Sequence, residues 1–341
     1  MTYSDRKEFY QKIEEIRGRS LITYVTSSRQ ICGGVMGSDV IPEICDQLLK
    51  IPNEKKEVDI LIASTGGDPI VAWRIISLLR ERFDKIGVLI PFNAQSAATI
   101  LALGADEIIM HPFSCLGPID PQVTIFSDDF NKPPISFSVE DVKSYLEFVE
   151  KDLKLTEENS GIESLKYLNA KLNPLYLGLM KKSMKLSDSL ANKLLSLHMS
   201  EPEKIENIVK KYNNYSHHGY TIGRNEALES GLPIHDGSKE LYDIIWNVWK
   251  NLEHEMLCKD TFHPRTVLSR ISGAIESARK TNQLNPYTAT ERTPIAMVES
   301  TRHASAFINE AHVMAFSLDG INITFNVDFI PIGWIETLLN E

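Results

Sequence analysis

The chain lacks a long apolar run and an excess of positive charge. No stretch of its 341 residues approaches the roughly 18 apolar residues of a membrane-spanning helix, so we expect none. Residues 1–19 are charged and helix-like, without the apolar core of a signal peptide. With 36 Lys and Arg against 46 Asp and Glu, the formal net charge is −10. This balance argues against nucleic acid or an anionic membrane as an obligate partner.

Cysteine is scarce, and its spacing matches no zinc or redox motif. The four cysteines are Cys32, Cys45, Cys115 and Cys258. We interpret them as free thiols in a reducing compartment, and expect a cytoplasmic protein without a metal or another cofactor. A hydrophobic content of 43% is ordinary for a globular protein, and the length suggests a large domain with a smaller one.

Strands and helices alternate through the first third of the chain. An amphipathic helix at residues 5–17 precedes a strand at 21–26, and Asp39 is a plausible N-cap for a helix that runs to Leu49. Two apolar strands follow at 58–63 and 86–91, each leading into a further helix. Such alternation predicts an α/β fold, a parallel sheet with flanking helices and right-handed crossovers.

The rest of the chain differs in character. Residues 139–211 are predicted to be helical and highly charged, and a further helix is predicted at 240–257. Beyond about Phe262 the pattern predicts a helix at 266–280 and four short strands, at 294–300, 304–308, 312–318 and 321–327. Asp319-Gly320 is a hairpin signal between the last two strands. We therefore divide the chain into an N-terminal helix (1–20), a main domain (21–258) and a small β-rich C-terminal appendage (262–341), which we expect to serve assembly rather than catalysis.

Two loops stand out, because each follows one of the consecutive apolar strands. The first reads Ser64-Thr65-Gly66-Gly67-Asp68-Pro69, and the second is centred on Ser96 and continues with small residues. Loops at the carboxyl ends of parallel strands are where α/β folds keep their sites. Further along are two more motifs, Ala102–Met110 (ALGADEIIM) and Leu116–Gln122 (LGPIDPQ).

These motifs resemble the Clp protease proteolytic subunit and signal peptide peptidase A, within the crotonase-like fold. The serine dehydrogenase proteinase family is the most similar, and its later element is matched by His218, Tyr220, Ile222, Glu226, Ala227, Gly231, Leu232 and Pro233. The resemblance covers roughly residues 20 to 235. It implies a crotonase-like sheet, a serine peptidase that acts on peptides or unfolded proteins, and a homo-oligomer that encloses its sites.

The resemblance assigns roles to the two loops. Ser96 becomes the nucleophile, and the N–H groups of Gly66, Gly67 and Ala97 become the donors to the oxyanion. Glycine suits that role because no Cβ shields its N–H group from a ligand. On local sequence alone, Ser96 fits an N-cap equally well and the glycine pair fits a plain tight turn.

The general base is not evident from the sequence. Clp relatives carry their histidine in the segment that here reads Leu116-Gly117-Pro118-Ile119-Asp120, which has none, and His111 lies too early. Peptidase A relatives use a lysine further along the chain. The candidates there are Lys132, Lys143 and Lys151, of which we favour Lys143 from approximate spacing.

Two further residues, His218 and Asp120, each fit more than one role. His218 is a second candidate for the base, and it lies where Clp relatives carry the acid of their triad. A structural role, bonded to the backbone, fits His218 as well. For Asp120 we favour a role in shaping its loop or an oligomer contact over one as a base.

Two other functions fit the same fold. An acyl-CoA hydratase or thioesterase uses a glycine-loop oxyanion hole without a nucleophile, although nothing basic marks a site for the phosphates of CoA. A non-catalytic assembly module would keep the fold and lose the base. Labelling of Ser96 by a fluorophosphonate separates the peptidase from both.

Overall fold

The structure, a computed structural model, describes residues 2–125, 135–154, 164, 166–167, 173–215 and 217–336. The candidate Lys132 lies outside the described residues. The helices are α1 (Tyr3–Arg17), α2 (Val40–Lys50), α3 (Pro69–Arg80), α4 (Ala97–Ala102), α5 (Val139–Glu147), α6 (Pro174–Leu195), α7 (Pro202–Asn213), α8 (Arg224–Glu229), α9 (Lys239–Glu255), α10 (Pro264–Ser269) and α11 (Ala274–Arg279). A π-helical turn, Phe148–Asp152, extends α5.

The strands range from two to thirteen residues in length. They are β1 (Ser20–Thr26), β2 (Glu57–Ala63), β3 (Lys85–Ile90), β4 (Asn93–Ala94), β5 (Glu107–Met110), β6 (Cys115–Leu116), β7 (Gln122–Ile125), β8 (Ile135–Ser138), β9 (Ile222–Gly223), β10 (Ile234–His235), β11 (Tyr287–Glu299), β12 (Ala304–Phe316) and β13 (Thr324–Glu336).

Eight of these strands form one large sheet, in the order β10-β5-β3-β2-β1-β11-β12-β13. The first five run parallel, and the last three are antiparallel additions. Parallel strands must be buried on both faces, which is why β1 is buried along its whole length. The α/β class with a parallel sheet and flanking helices, predicted from the sequence, is confirmed.

Helices cover both faces of the sheet. On one face, α2, α3, α4, α6 and α7 contribute apolar side chains to the largest cluster of buried residues. On the other face, α1 and α9 pack through residues such as Tyr10, Ile13, Ile245 and Trp249. No helix among the described residues is long and apolar enough to cross a membrane.

The C-terminal strands depart from the prediction. The four short strands were wrong: β11, β12 and β13 are three strands of thirteen residues each. The strands predicted at 304–308 and 312–318 are one strand, β12, and the interval between them contains only a shift of register next to Ile308. The turn at Asp319-Gly320 does join the last two strands. Since β11 pairs with β1, these strands extend the main sheet instead of forming a sheet of their own.

The helix predicted at 266–280 is also wrong. Two short helices, α10 and α11, replace it, and Gly273 between them has a φ of 75°, which ends a helical run. The segment predicted as helical over 139–211 contains α5 with its π-helical turn, α6 and α7 in the described part.

Candidate active site

The glycine loop begins at the carboxyl end of β2 and is bonded to β1. The Ser64 hydroxyl oxygen lies 2.7 Å from that of Thr26. The Gly66 N–H donates to the same Ser64 oxygen over 3.1 Å. Asp68 then caps α3 by accepting from the Ile70 N–H, as a residue before a first-turn proline often does. The loop is thereby fixed at both of its ends.

Met36 holds the backbone on both sides of Gly67. The Met36 N–H donates to the Gly66 carbonyl over 2.8 Å, and the Asp68 N–H donates to the Met36 carbonyl over 2.9 Å. Because Met36 bonds the groups on either side of Gly67, the Gly67 N–H faces away from Met36. Within the described residues it donates to no acceptor. The φ angles of 110° at Gly66 and 148° at Gly67 are accessible to glycine and rare for other residues.

Ser96 has an unusual backbone conformation. Its φ of 52° and ψ of −118° lie outside the regions that L-residues normally occupy. Ser96 stands at the N-cap position of α4, but its side chain accepts no capping hydrogen bond. A capping serine normally has extended dihedrals and makes that bond. Strained serines at strand-to-helix turns are typical of nucleophiles instead.

Ser96 and the glycine loop are in direct contact. A Cβ added to Gly66 would lie 2.7 Å from the Ser96 Cβ and 3.1 Å from the Ala97 nitrogen. A larger residue at position 66 would therefore collide with the serine turn. The Ala97 N–H opens α4 and, in the described part of the chain, has no acceptor. The structure thus brings together Ser96, Gly66, Gly67 and Ala97.

A second, small sheet organises the other site residues. It consists of β4, β6 and β9; β4 and β6 are parallel, whereas β9 is antiparallel to β6. Residues that follow β4 and β6 therefore lie at the same end as residues that precede β9. Ser96, Asp120 and His218 are those residues. Neighbouring strands are about 4.8 Å apart, so the three segments leave the sheet within about 10 Å of one another.

Thr99 joins the two loops that leave β4 and β6. The Gly117 N–H donates to the Thr99 hydroxyl over 3.0 Å. The same hydroxyl oxygen lies 2.7 Å from the Ala94 carbonyl, to which it donates. Thr99 is fully buried, so these bonds are shielded from water. The loop that leads to Asp120 is thereby fixed against the helix that begins after Ser96.

Asp120 and His218 form a hydrogen-bonded pair. The Nδ1 of His218 lies 2.8 Å from Oδ1 of Asp120. The His218 side chain is 23% exposed, whereas the Asp120 side chain is 9% exposed. A hydrogen bond at Nδ1 leaves Nε2 as the ring nitrogen that can exchange a proton with another group. The pair therefore presents that nitrogen on the more accessible partner.

The backbone next to Asp120 is held from two helices. The Ile119 N–H donates to the Tyr212 carbonyl at the end of α7 over 3.0 Å. The Ser187 hydroxyl of α6 donates to the Ile119 carbonyl over 2.7 Å. Both bonds are buried, and they fix the backbone that leads into Asp120.

The loop that carries His218 is held by two tyrosines. The hydroxyls of Tyr215 and Tyr220 donate to the two oxygens of Glu226, at 2.7 and 3.2 Å. Their rings stack with centroids 4.6 Å apart. Burial, followed by the bond to Glu226, raises the pKa of Tyr215 well above its ordinary value, so its hydroxyl keeps the donating proton.

The lysine candidates in the described part of the chain are accessible to water. Lys143 is exposed on α5, and its charge acts on Asp188, where it opposes the rise in pKa that burial causes. Lys151 is exposed and lies 3.4 Å from Glu147. A lysine must be desolvated to lose its proton near neutral pH. Neither residue has that environment.

Cys115 is a possible rival nucleophile near the same loops. Its thiol is free, and burial raises the thiol pKa above its ordinary value. The thiolate is the reactive form, so a raised pKa makes the thiol inert at neutral pH. Ser96 remains the candidate nucleophile.

Sequence reasoning missed the contact between Asp120 and His218. A signal was present, because Asp120 lies in the segment where Clp relatives carry the histidine, and His218 lies where they carry the acid. Taken together, the two positions indicate that the histidine and the acid have exchanged places along the chain, relative to the Clp relatives. Each residue alone fits a structural role, which is why the pattern was not recognised.

A comparison with protein families matches the first part of this chain. Residues 2–131 match a family described as the ClpP-like SDH-type serine proteinases. The match confirms the resemblance found in the sequence and supports, in broad terms, a serine peptidase. It includes Ser96, the glycine loop and Asp120, and it ends before His218.

Two curated relatives come from Methanocaldococcus jannaschii, and both are described as uncharacterized. Protein MJ1495 is 36% identical over 75 residues, which are 22% of this chain and 26% of the relative. Protein MJ0137 is 29% identical over 126 residues, which are 35% of this chain and 43% of the relative. The matches thus span less than half of the length of either relative.

Two solved structures are distantly similar. ClpP1 from Listeria monocytogenes is 14% identical with a TM-score of 0.35, over 68% of this chain and 98% of that one. The membrane-bound stomatin-specific protease 1510-N is 12% identical with a TM-score of 0.35, over 70% of this chain and 85% of that one. Similarity at this level carries no information about residue roles.

Proposed function

We propose that this chain is a serine peptidase with Ser96 as nucleophile, His218 as general base and Asp120 as the residue that orients the imidazole. The N–H groups of Gly67 and Ala97 stabilise the oxyanion. The observation that carries the proposal is the Asp120–His218 hydrogen bond, 2.8 Å long, at the end of the small sheet from which the strained serine turn also leaves.

The proposed reaction follows from which of these groups can donate or accept a proton. Nε2 of His218 takes the proton of the Ser96 hydroxyl as Oγ attacks the peptide carbonyl carbon. Asp120 stabilises the imidazolium that results. The imidazolium then protonates the departing amine, which leaves an ester on Ser96. A water molecule, deprotonated by the same nitrogen, hydrolyses the ester and restores the free enzyme.

The oxyanion donors are backbone N–H groups that no other acceptor occupies in the described part of the chain. Gly66 donates to Ser64 and is therefore not one of them. We assign to Gly66 the role of clearance, because a side chain there would collide with the Ser96 turn. Donors that are fixed before the reaction lower its barrier, since nothing must reorganise as the charge develops.

Lys143 as the base, which the resemblance to peptidase A favours, stays a prediction. Exposure of Lys143 speaks for His218, because water stabilises the charged form of a lysine. The two assignments differ in which substitution abolishes activity.

We further propose peptides or unfolded proteins as substrates, a cytoplasmic location and a homo-oligomer. Among the described residues, no strand pairs with the outer edge of β13, the last strand of the large sheet. Its exposed apolar residues are Phe329, Ile330, Ile332 and Ile335. Long apolar edge strands tend to pair with another strand, and a second copy of this chain offers an identical one.

The experiment is active-site labelling with a fluorophosphonate, together with cleavage of an unfolded protein such as reduced casein. We expect the wild type and Ser189→Ala, a matched exposed serine on α6, to be labelled and to cleave. Ser96→Ala loses both activities. Labelling that persists in Ser96→Ala would mean that another residue is the nucleophile. A folded wild type that neither labels nor cleaves would favour a hydratase or a non-catalytic module instead.

A further inference from the structure

A buried histidine and two carboxylates meet on the side of the sheet where α2 packs against the C-terminal strands. Ligand atoms of Glu43, Asp46 and His303 all lie within 4.8 Å of one another. Glu43 and Asp46 lie one turn apart on α2, and His303 ends the turn between β11 and β12. The cluster could not be predicted from a sequence motif, because more than half of the chain separates α2 from the histidine.

Charge in the cluster is unbalanced. Two carboxylates face each other, and among the described residues neither Glu43 nor Asp46 forms an ion pair with a lysine or an arginine. Like charges at this separation repel. A cation between them would remove the repulsion, and the neighbouring imidazole makes a transition-metal ion a better fit than a monovalent one.

His303 is held as metal-binding histidines are. It is 9% exposed, and its Nδ1 lies 3.1 Å from Oε1 of Glu336, the last residue of β13. A carboxylate on one ring nitrogen orients the other nitrogen towards a metal and makes it more basic. The backbone is fixed as well, since the His303 carbonyl accepts from Gln47 over 2.9 Å and from the Ser300 N–H over 2.8 Å.

A second observation concerns a buried amide beside the cluster. Gln47 follows Asp46 on α2 and is 1% exposed, and its Nε2 donates to the His303 carbonyl. Its Oε1 is buried and has no hydrogen-bond partner among the described residues. A buried amide oxygen without a donor is costly, and a bound cation is one way to satisfy it. This oxygen belongs to the residue that bonds the histidine of the cluster.

We propose that Glu43, Asp46 and His303 bind a Zn²⁺ ion, with Glu336 as a positioning residue for the imidazole. Zn²⁺ is bound by imidazole nitrogen and carboxylate oxygen at about 2.0–2.2 Å, so two ligand atoms of one ion lie at most about 4.4 Å apart. The ligand atoms of the cluster, which lie within 4.8 Å of one another, exceed that limit by at most about 0.4 Å. Such an ion would join α2 to the turn before β12 and, through Glu336, to the end of β13.

The site is separate from the proposed peptidase. A bound ion would reinforce the contact that the Trp334 Nε1 already makes with Asp39, just before α2, over 2.8 Å. From there the chain runs back to Met36, which supports the glycine loop. The expected effect is therefore on stability, so it can be measured without any assay of peptide cleavage.

The test is zinc binding by the full chain, freed of metal with EDTA, in titration calorimetry and thermal unfolding. We expect one Zn²⁺ per chain, a higher Tm with ZnCl₂, and no comparable effect of MgCl₂, which an imidazole ligand disfavours. The double variant Glu43→Gln/Asp46→Asn should bind at least ten-fold more weakly. Its two changes are on the accessible face of α2, so its fold should survive.

His303→Ala should also lose binding, and its folding is checked by circular dichroism because the ring is buried. Glu336→Gln should weaken binding about ten-fold, the typical effect of losing a partner of a metal ligand. The matched control is His312→Ala, a histidine of β12 that pairs with Glu310 outside the cluster. Absence of zinc binding, unchanged binding in the double variant, a preference for Mg²⁺, or loss of binding in His312→Ala would each overturn the proposal.

Discussion

The Nδ1 atom of His218 lies 2.8 Å from Oδ1 of Asp120, across 98 positions of sequence. The three short strands of the small sheet bring the two residues to one end, and helices α6 and α7 fix the backbone beside Asp120. The proposed role of His218 as general base rests on this relationship.

The first prediction concerns the base. His218→Ala should lower kcat/KM for peptide cleavage by about 10²- to 10⁴-fold, the range expected for a positioned general base. Asp120→Asn should lower kcat on the order of 10²-fold or more while leaving KM nearly unchanged, because it acts through the imidazole. Lys143→Ala is the matched control and should stay within a few-fold of wild type. The reverse pattern, with Lys143→Ala inactive and His218→Ala active, would return the role to the lysine.

The backbone of Ser96 provides a prediction about stability. Its φ of 52° with ψ of −118° is strained for serine and easily adopted by glycine. We expect Ser96→Gly to be more stable than Ser96→Ala by about 1–2 kcal/mol in urea unfolding, since strain of this kind costs on that order. Both variants should be inactive. At Ser189, within α6, the alanine variant should be more stable than the glycine variant. If Ser96→Gly is less stable than Ser96→Ala, the backbone of Ser96 is not strained in the way proposed.

A third prediction concerns the pH dependence of stability. The Nε2 of His198 lies 2.8 Å from the Leu103 carbonyl, and burial lowers the pKa of this histidine. In the unfolded chain its pKa is about 6.5, so the unfolded state binds the proton first as pH falls. The contribution of His198 is therefore present above about pH 6.5 and is lost as the pH falls through the lower pKa of the folded state.

His198→Gln should reduce this dependence, because glutamine keeps a donor for Leu103 and does not titrate. The free energy of unfolding, measured in urea between pH 7.5 and 5, should fall less steeply in the variant. His217→Gln, a change at an exposed histidine, serves as the control and should leave the slope as in wild type. Equal slopes in all three proteins would count against a role for His198.

The fourth prediction tests whether the C-terminal strands are separable. The Arg6 guanidinium donates to both carboxylate oxygens of Glu299 on β11, at 2.8 and 2.6 Å, and both side chains are fully buried. Breaking a buried ion pair from one side costs about 3–5 kcal/mol. Glu299→Gln should lower the free energy of unfolding by that order. Glu276→Gln, which removes an exposed partner of Arg279, should change it by less than about 1 kcal/mol.

The Arg6–Glu299 ion pair also predicts the effect of removing the C-terminal strands. Removal of every residue after position 261 deletes Glu299 together with β11, the strand that pairs with β1. We expect the shortened chain to be largely unfolded, as judged by circular dichroism and protease sensitivity. A folded, fluorophosphonate-reactive product would show that the main domain does not need these strands.

The fifth prediction concerns self-association through β13. Light scattering at micromolar concentration should give a mass above that of one chain. Ile332→Lys, on the exposed edge strand, should shift the distribution towards monomer, since a charge opposes pairing of edge strands. Leu175→Lys changes an exposed apolar residue on α6 and should not. A wild-type monomer would contradict both the oligomer and the role of the edge.

Much of the first third of the molecule followed from local pattern. Short apolar runs such as Val58–Ala63 became strands, and the helix expected after the first of them begins at Pro69, with Asp68 as its N-cap. The long C-terminal strands were harder to predict. In β12 a register shift next to Ile308 interrupts the alternation of apolar and polar residues. In the sequence, that interruption looks like the end of a strand.

The sequence by itself determined that a strand-following glycine pair and a strand-following serine would meet at one edge of a parallel sheet. Parallel strands place their carboxyl ends together, so order along the chain is enough to predict that neighbourhood. Only the tertiary structure decided which group faces Asp120, and that the exposed Lys143 has no dry environment. Distance across loops and exclusion of water depend on the packing of the whole chain, and no local pattern of residues contains them.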